Sequence, residues 1–369
     1  MMLSIILHAQ SLRFGIPAFI MVGVSPHYFA GWFTWRLISS ILPRRVYERI
    51  DEMAYDSYQS LVTYFFETFT GTRLIFYGDE LPLDKKENVV YISNHQSAVD
   101  WVVTDLIAIR QESLGRIRYV LKNGLKYLPL YGCYFAQHGC IYVKRGGEKN
   151  DLKIRRKLQA MAMNKTPFWL VIFPEGTRYD LSKQHVIKAS QDFAEQNGLP
   201  VLEHLLTPRT RATELSLEEL GPHLDAVYDV TIAYLDPKKP VLPKAKGKSL
   251  TEFLAVKGIE IHIHLERISA NHIPKTKEEI KDWLFKQFSK KERLLSHFYS
   301  EETAGCFPGK GKEIKLKTRR TFPYFIFWTG ALVATLSTSK GRDLYMKMWS
   351  TLGFASVLYM ATLHGTLQS

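Results

Sequence analysis

Apolar positions along this chain alternate between two periods. Residues 89–93, Val-Val-Tyr-Ile-Ser, form a continuous apolar run typical of a strand buried on both faces, and residues 101–109 are apolar and long enough for a helix. The alternation continues to about residue 206. Strands are predicted at 72–77, 89–93, 118–122, 140–144 and 168–173, with Leu205 and Leu206 as a further short apolar strand; helices are predicted at 55–70, 97–111, 151–163 and 188–197. Beyond these, 226–235 and 259–268 read as strands and 275–299 as an amphipathic helix. Strands alternating with helices imply an α/β fold, a mixed sheet flanked by helices. Within 259–268, Ile259, Ile261, Ile263 and Leu265 alternate with Glu260, His262, His264 and Glu266. The two histidines are therefore expected on a solvated strand face rather than on a metal.

The ends of the chain have a different pattern. Residues 14–35 are an uncharged run of 22, long enough for a membrane-spanning helix or signal anchor. Aromatics continue through Trp35 without a small-residue cleavage site, unlike a cleaved signal peptide. Residues 321–339 and 348–369 are also uncharged and suggest a C-terminal membrane hairpin, with Lys340, Arg342 and Lys347 between or inside its arms. The expected division is an N-terminal membrane anchor over 1–50, a central α/β domain over 51–300, and a basic linker with the hairpin over 301–369.

The net charge of +13 is unevenly placed. Arg36, Arg44, Arg45 and Arg49 follow the first apolar run and only Arg13 precedes it, which puts the central domain in the cytosol by the positive-inside rule. Lys310, Lys312, Lys315, Lys317, Arg319 and Arg320 crowd before the second run, an arrangement suited to anionic lipid head groups. No nucleic-acid-binding module accompanies these charges, so nucleic acid is not an expected partner. Cys133, Cys140 and Cys306 are too few and too scattered for a disulfide framework, in keeping with a reducing compartment. The first two are expected as packing residues.

Candidate chemistry collects where strands end. In Asn94-His95-Gln96-Ser97-Ala98-Val99-Asp100, an imidazole and a carboxylate lie five residues apart. On one regular helix they would diverge by about 140°. Ser97 and Asp100 have capping-box spacing, which predicts a helix starting at Ser97 and leaves His95 on the preceding turn, able to fold back toward Asp100. An Asp bound to one ring nitrogen fixes the tautomer and leaves the other nitrogen to take a proton. A helix cap beside a surface-turn histidine fits the same letters. Downstream, Phe173-Pro174-Glu175-Gly176-Thr177-Arg178 closes a strand: Gly176 permits close backbone approach, Arg178 offers a fork of donors to a phosphate, and Glu175 can only accept, from an acceptor hydroxyl or an arginine. An ordinary turn with a surface ion pair is the other reading. Gly139 to Arg145 ends a strand in Lys144 and Arg145, a phosphate clamp or a solvated strand end. Residues 122–135 carry apolar bulk suited to an alkyl-chain tunnel wall or to core, and Leu205-Leu206-Thr207-Pro208-Arg209 repeats the apolar-proline-arginine design.

Taken together, Asn-His with its Asp, then Gly-x-Ile-Tyr-Val-x-Arg, then Phe-Pro-Glu-Gly-Thr-Arg, then Thr-Pro-Arg, in this order, resemble the glycerolipid acyltransferase family, and within it the 1-acylglycerol-3-phosphate acyltransferases. The resemblance covers nearly the whole chain. It implies His95 as general base with Asp100 as its orienter, Lys144 and Arg145 at the acceptor's phosphate, Glu175, Gly176, Thr177 and Arg178 around the acceptor, and Pro208 in a block tied to the acyl donor. The implied reaction moves a fatty acyl group from acyl-CoA, a co-substrate, to the sn-2 hydroxyl of lysophosphatidic acid, giving phosphatidic acid without a metal or other cofactor. The same motifs serve other lysophospholipids, lysocardiolipin or glycerol-3-phosphate, and a non-enzymatic membrane adaptor is the contrasting class. The expected setting is the endoplasmic reticulum membrane with the catalytic domain facing the cytosol, the mitochondrial outer membrane offering the same topology.

Overall fold

A computed structural model describes residues 2–83, 85–144, 148–235, 249–303 and 305–365. Its strands are β1 (Arg73–Gly78), β2 (Val89–Ser93), β3 (Ile117–Lys122), β4 (Ile141–Val143), β5 (Trp169–Ile172), β6 (Ala226–Leu235), β7 (Glu260–Ser269) and β8 (Lys312–Glu313). They form one sheet in the order β4-β3-β5-β2-β6-β7-β1-β8. The five strands from β4 to β6 run parallel, β6 pairs antiparallel with β7, β7 parallel with β1, and β8 antiparallel at the edge. The expected mixed sheet flanked by helices is present.

The pleat distributes the apolar runs between two cores. Val89 and Tyr91 of β2 point into one core with Trp169 and Val171 of β5, while Val90 and Ile92 point into the other with Leu170 and Ile172. Helices Asp100–Arg110 and Arg44–Thr63 cover the first face. Glu148–Met163, Arg211–Leu220 and Lys277–Phe298 cover the second. Burial on both faces explains why the parallel strands lack polar alternation.

That covering also corrects the reading of His262. Helix Lys277–Phe298 lies over the face expected to be solvated, and His262 is buried, its ring edge-on to Phe298 and its Nδ1 2.9 Å from Tyr77 Oη. Burial, reinforced by the Arg73 charge, pushes its pKa down to about 4. Leu205 and Leu206 form no strand; Leu205 lies in a bend, and the Leu206 amide donates to Glu175 at the site. Cys133 and Cys140 are buried among apolar neighbours.

At the N-terminus the apolar run becomes two helices, Met2–Gly23 and Ser25–Ile38, with a junction at Val24. The stretch Arg13–Ile41 is long and apolar enough to cross a membrane, with 39% of its apolar window buried inside the protein. Trp32 turns inward and donates to Asp51 Oδ1 at 3.0 Å. At the C-terminus, Phe322–Leu336 is apolar but only 15 residues long, short of the roughly 20 a span needs. It packs against Ser339–Gly365, whose first half is charged. Two paired helices are thus present, without a second helix that meets the length and composition of a span among the described residues. Part of the basic linker is turned inward: Arg320 grips Asp56 through both carboxylate oxygens at 2.6 Å.

Candidate active site

Parallel strands align their carboxyl ends along one edge of the sheet, where open α/β sheets bind ligands. β2, held between β5 and β6, opens there into Asn94 and His95. Asn94 is locked to the neighbouring strand: its amide donates to the Ile232 carbonyl at 3.0 Å and its Oδ1 accepts from Ile232 N at 2.8 Å. This is possible because β6 runs on beyond Val230, the partner of Ser93, to Leu235. The overhang carries polar contacts past the end of β2.

His95 Nδ1 lies 2.7 Å from Asp100 Oδ2. An ionised carboxylate only accepts, so Nδ1 carries the proton and Nε2 presents a lone pair. Asp100 is fully buried and its Oδ2 also accepts from Gln96 N at 2.8 Å and Ser97 N at 2.9 Å, while Oδ1 accepts from Tyr234 Oη at 2.5 Å. The two residues meet, but by a different route from the expected one. The helix begins at Asp100 rather than Ser97, residues 97–99 form a turn, and Val99 at the cap has no side-chain bond. Asp100 therefore reaches back over its own approach turn instead of sitting in the third position of a capped helix. The His95 ring is about a quarter exposed and stacks on Phe173, with centroids 4.6 Å apart and planes at 29°.

The turn after β5 supports this histidine through its backbone. Glu175 Oε1 accepts from the His95 amide at 2.7 Å, and Oε2 from the Leu206 amide at 2.9 Å. Burial pushes the Glu175 carboxyl up to about 8, against the two backbone donors and the more distant Lys291. Both oxygens are thus engaged with the frame, where sequence reasoning placed Glu175 against the acceptor. Gly176 adopts φ +66°, and a Cβ there would meet the Arg209 side chain at 3.3 Å. Pro208 is buried, and the Arg209 amide donates to the Pro174 carbonyl at 2.8 Å, so the fourth motif is laid directly on the third. Thr177 is half-buried and Arg178 exposed; the next amide, of Tyr179, donates to the His95 carbonyl at 2.7 Å. Arg178 consequently leaves the frame one residue from a direct bond to the His95 backbone.

Lys144 follows β4 on the same edge, separated from β2 by β3 and β5. Three strand spacings make that roughly 14 Å across the sheet. Arg145 lies outside the described residues. Sequence reasoning missed Tyr234, Phe173 and the Leu206 amide. Phe173 was visible beside Pro174, whereas Tyr234 and Leu206 become neighbours of the site only through sheet order and the fold of 201–210. Among the described residues, no group of three or more His, Cys, Asp or Glu side chains could hold a metal.

An acyltransferase family profile matches residues 73–204, and an acyltransferase C-terminus profile matches residues 252–328. Mouse 1-acyl-sn-glycerol-3-phosphate acyltransferase epsilon is 46% identical over 95% of this chain and 96% of its own length. An Arabidopsis thaliana 1-acyl-sn-glycerol-3-phosphate acyltransferase 2 is 26% identical over 81% of this chain and 74% of its own. Mouse lysocardiolipin acyltransferase 1 is 32% identical over 66% of this chain and 62% of its own. The crystal structure of the 1-acyl-sn-glycerophosphate acyltransferase PlsC from Thermotoga maritima aligns with a TM-score of 0.46 at 16% identity, covering 79% of this chain and all of that one. Sequence identity along nearly its full length places the chain in the 1-acyl-sn-glycerol-3-phosphate acyltransferase family.

Proposed function

We propose that this protein transfers a fatty acyl group from acyl-CoA to the sn-2 hydroxyl of lysophosphatidic acid, releasing phosphatidic acid and CoA. The observation that carries the reading is the His95–Asp100 pair, 2.7 Å apart at the carboxyl edge of the parallel strands, in a chain with 46% identity to mouse 1-acyl-sn-glycerol-3-phosphate acyltransferase epsilon. His95 Nε2 takes the hydroxyl proton as the acceptor oxygen attacks the thioester carbonyl. The C–O bond forms, the tetrahedral intermediate collapses, and the C–S bond breaks. The thiolate leaves and takes the proton back from the imidazolium, which restores neutral His95. A thiolate is a good leaving group, so one base suffices and no acyl-enzyme is required. Asp100 holds the ring's orientation and stabilises its transient positive charge.

Arg178, Lys144 and Arg145 bind the acceptor's phosphate, and the apolar segment after β3 receives an alkyl chain. The apolar stretch Arg13–Ile41 anchors the protein in the endoplasmic reticulum membrane with the site facing the cytosol, and the C-terminal helix pair joins it there. Release of CoA thiol, measured over a panel of acceptors with one acyl-CoA, tests this reading. Lysophosphatidic acid is expected to give the highest kcat/KM. A higher value with a lysocardiolipin would move the assignment toward the activity named for the 32% identical mouse relative, and no thiol release with any acceptor would overturn it.

A further inference from the structure

Between β4 and β5, strand β3 delivers Lys122 to the catalytic edge and the chain then enters the short helix Asn123–Tyr127. Lys122 pairs in register with Val143, so Lys144 emerges beside it. Leu125, Tyr127 and Leu128 are exposed immediately after these cations. Cations beside an exposed apolar cluster match an amphiphile, phosphate on the first and alkyl chain on the second.

The end of this segment is strained. Leu130 has φ 65° and ψ −58°, and Tyr131 N donates to the Pro129 carbonyl at 2.8 Å, which closes a γ-turn of the sparsely populated hand. A buried leucine does not adopt this conformation by preference. Its amide is held by another part of the chain: Leu130 N donates to Ser356 Oγ at 2.8 Å, on helix Ser339–Gly365. Ser356 is itself buried and passes its own proton to the Gly353 carbonyl at 2.7 Å, so its hydroxyl is fixed as an acceptor toward Leu130. On the other side, Tyr142 Oη of β4 donates to the Gly132 carbonyl at 2.9 Å. The turn is thus tied to the catalytic sheet at one end and to the C-terminal helix at the other.

We infer that Ser356 is a positioning residue for substrate binding: by holding the Leu130 turn, the C-terminal helix sets the apolar wall that receives the acceptor's acyl chain. The inference rests on the acyl-transfer reading given above. It makes this helix part of substrate selection as well as an anchor.

The test uses full-length protein in lipid vesicles, with Ser356→Ala and the hydroxyl-retaining Ser356→Thr, assayed on oleoyl and hexanoyl lysophosphatidic acid. Ser356→Ala leaves a buried amide unpartnered, and KM for the oleoyl acceptor is expected to rise about tenfold with kcat and the hexanoyl KM unchanged. Ser356→Thr is expected to behave as the unsubstituted protein. Amide exchange of the peptide over residues 123–132 should accelerate about tenfold in Ser356→Ala alone. Equal effects on both acceptors, or unaltered exchange, would overturn the inference. If the unsubstituted protein turns over neither acceptor, the acyl-transfer reading fails instead, and the exchange comparison alone decides whether Ser356 holds the turn.

Discussion

Glu175 accepts the backbone N–H of His95 at 2.7 Å, so the turn after β5 fixes the position of His95 on the turn after β2. The same carboxylate takes the Leu206 amide through its other oxygen. One buried side chain thereby joins the first, third and fourth motifs, which lie far apart in the chain. The glutamate works as a brace, and the His95 ring, about a quarter exposed, is left open to solvent.

Replacing the base separates chemistry from folding. His95→Ala keeps the Asp100 contacts to Gln96 N, Ser97 N and Tyr234, so the variant is expected to fold and bind vesicles while acyl transfer falls at least about 10²- to 10⁴-fold. Wild-type-like CoA release from the purified variant would remove His95 from the mechanism.

Asp100→Asn is expected to cost roughly 10⁴-fold in kcat. An asparagine offers an N–H where Asp100 now accepts, and the ring loses the partner that keeps the proton on Nδ1. The diagnostic measurement is the pH profile of kcat/KM together with the melting temperature. A variant that melts at a lower temperature yet retains turnover would show that the pair is only structural.

Glu175 carries a pH dependence of definite sign. Its folded value of about 8 lies above the ordinary 4.5, so the folded state holds this proton more tightly than the unfolded chain. The linked stability is complete below about 4.5 and is lost as pH rises through about 8. Glu175→Gln cannot titrate and leaves one backbone donor unpaired, at a cost of about 1–3 kcal/mol. The melting-temperature difference between the unsubstituted protein and this variant should therefore move steadily in the variant's favour from pH 5 to about pH 9. A constant gap across that series would exclude a proton on Glu175.

The parts of this site that were legible in the sequence are those set by local pattern. Apolar runs locate β2, β3, β5 and β6 within a residue or two, because a strand buried on both faces has no polar interruptions. The His95–Asp100 encounter was one of two readings the spacing allowed, and Ser97 and Asp100 suggested a helix start three residues too early. Asp100 bonds backward to the Gln96 and Ser97 amides, and nothing in a capping-box pattern distinguishes that from a forward cap. What was hidden depends on neighbours distant in sequence. Tyr234 reaches Asp100 only because β6 lies beside β2 and outruns it. His262 is buried only because helix Lys277–Phe298 crosses its strand face. β8, a two-residue edge strand of Lys312 and Glu313, has no apolar signal at all.

The body of the protein contains a buried ion pair whose loss should be costly. Arg110 donates to Glu67 at 2.6 and 3.0 Å and to the Ile314 carbonyl at 2.9 Å, which ties the linker before the C-terminal helices to the end of helix Asp100–Arg110. Arg110→Met strands the Glu67 charge and is expected to destabilise by about 3–5 kcal/mol, whereas the double variant with Glu67→Gln should recover much of that. Denaturant titration of the three proteins reads the difference. Equal losses for the single and double variants would show that the Ile314 contact, rather than the charge pair, carries the stability.

Phosphate recognition can be assigned among the cations by removing the phosphate from the substrate. Arg178 leaves the turn next to Tyr179, whose amide is bonded to His95, while Lys144 emerges three strands away on the same edge. A charge-assisted bond to phosphate corresponds to about a 10- to 100-fold effect on acceptor use. Arg178→Ala is expected to raise KM for lysophosphatidic acid by that factor and to leave the acyl-CoA KM unchanged. With a monoacylglycerol acceptor, which has the same hydroxyl and chain but no phosphate, the variant and the unsubstituted protein should converge. Arg145→Ala, compared in the same way, gives that residue's share. A penalty that persists with the monoacylglycerol would mean that the arginine holds the turn rather than the phosphate, and a matching rise in the acyl-CoA KM would place it on the donor side.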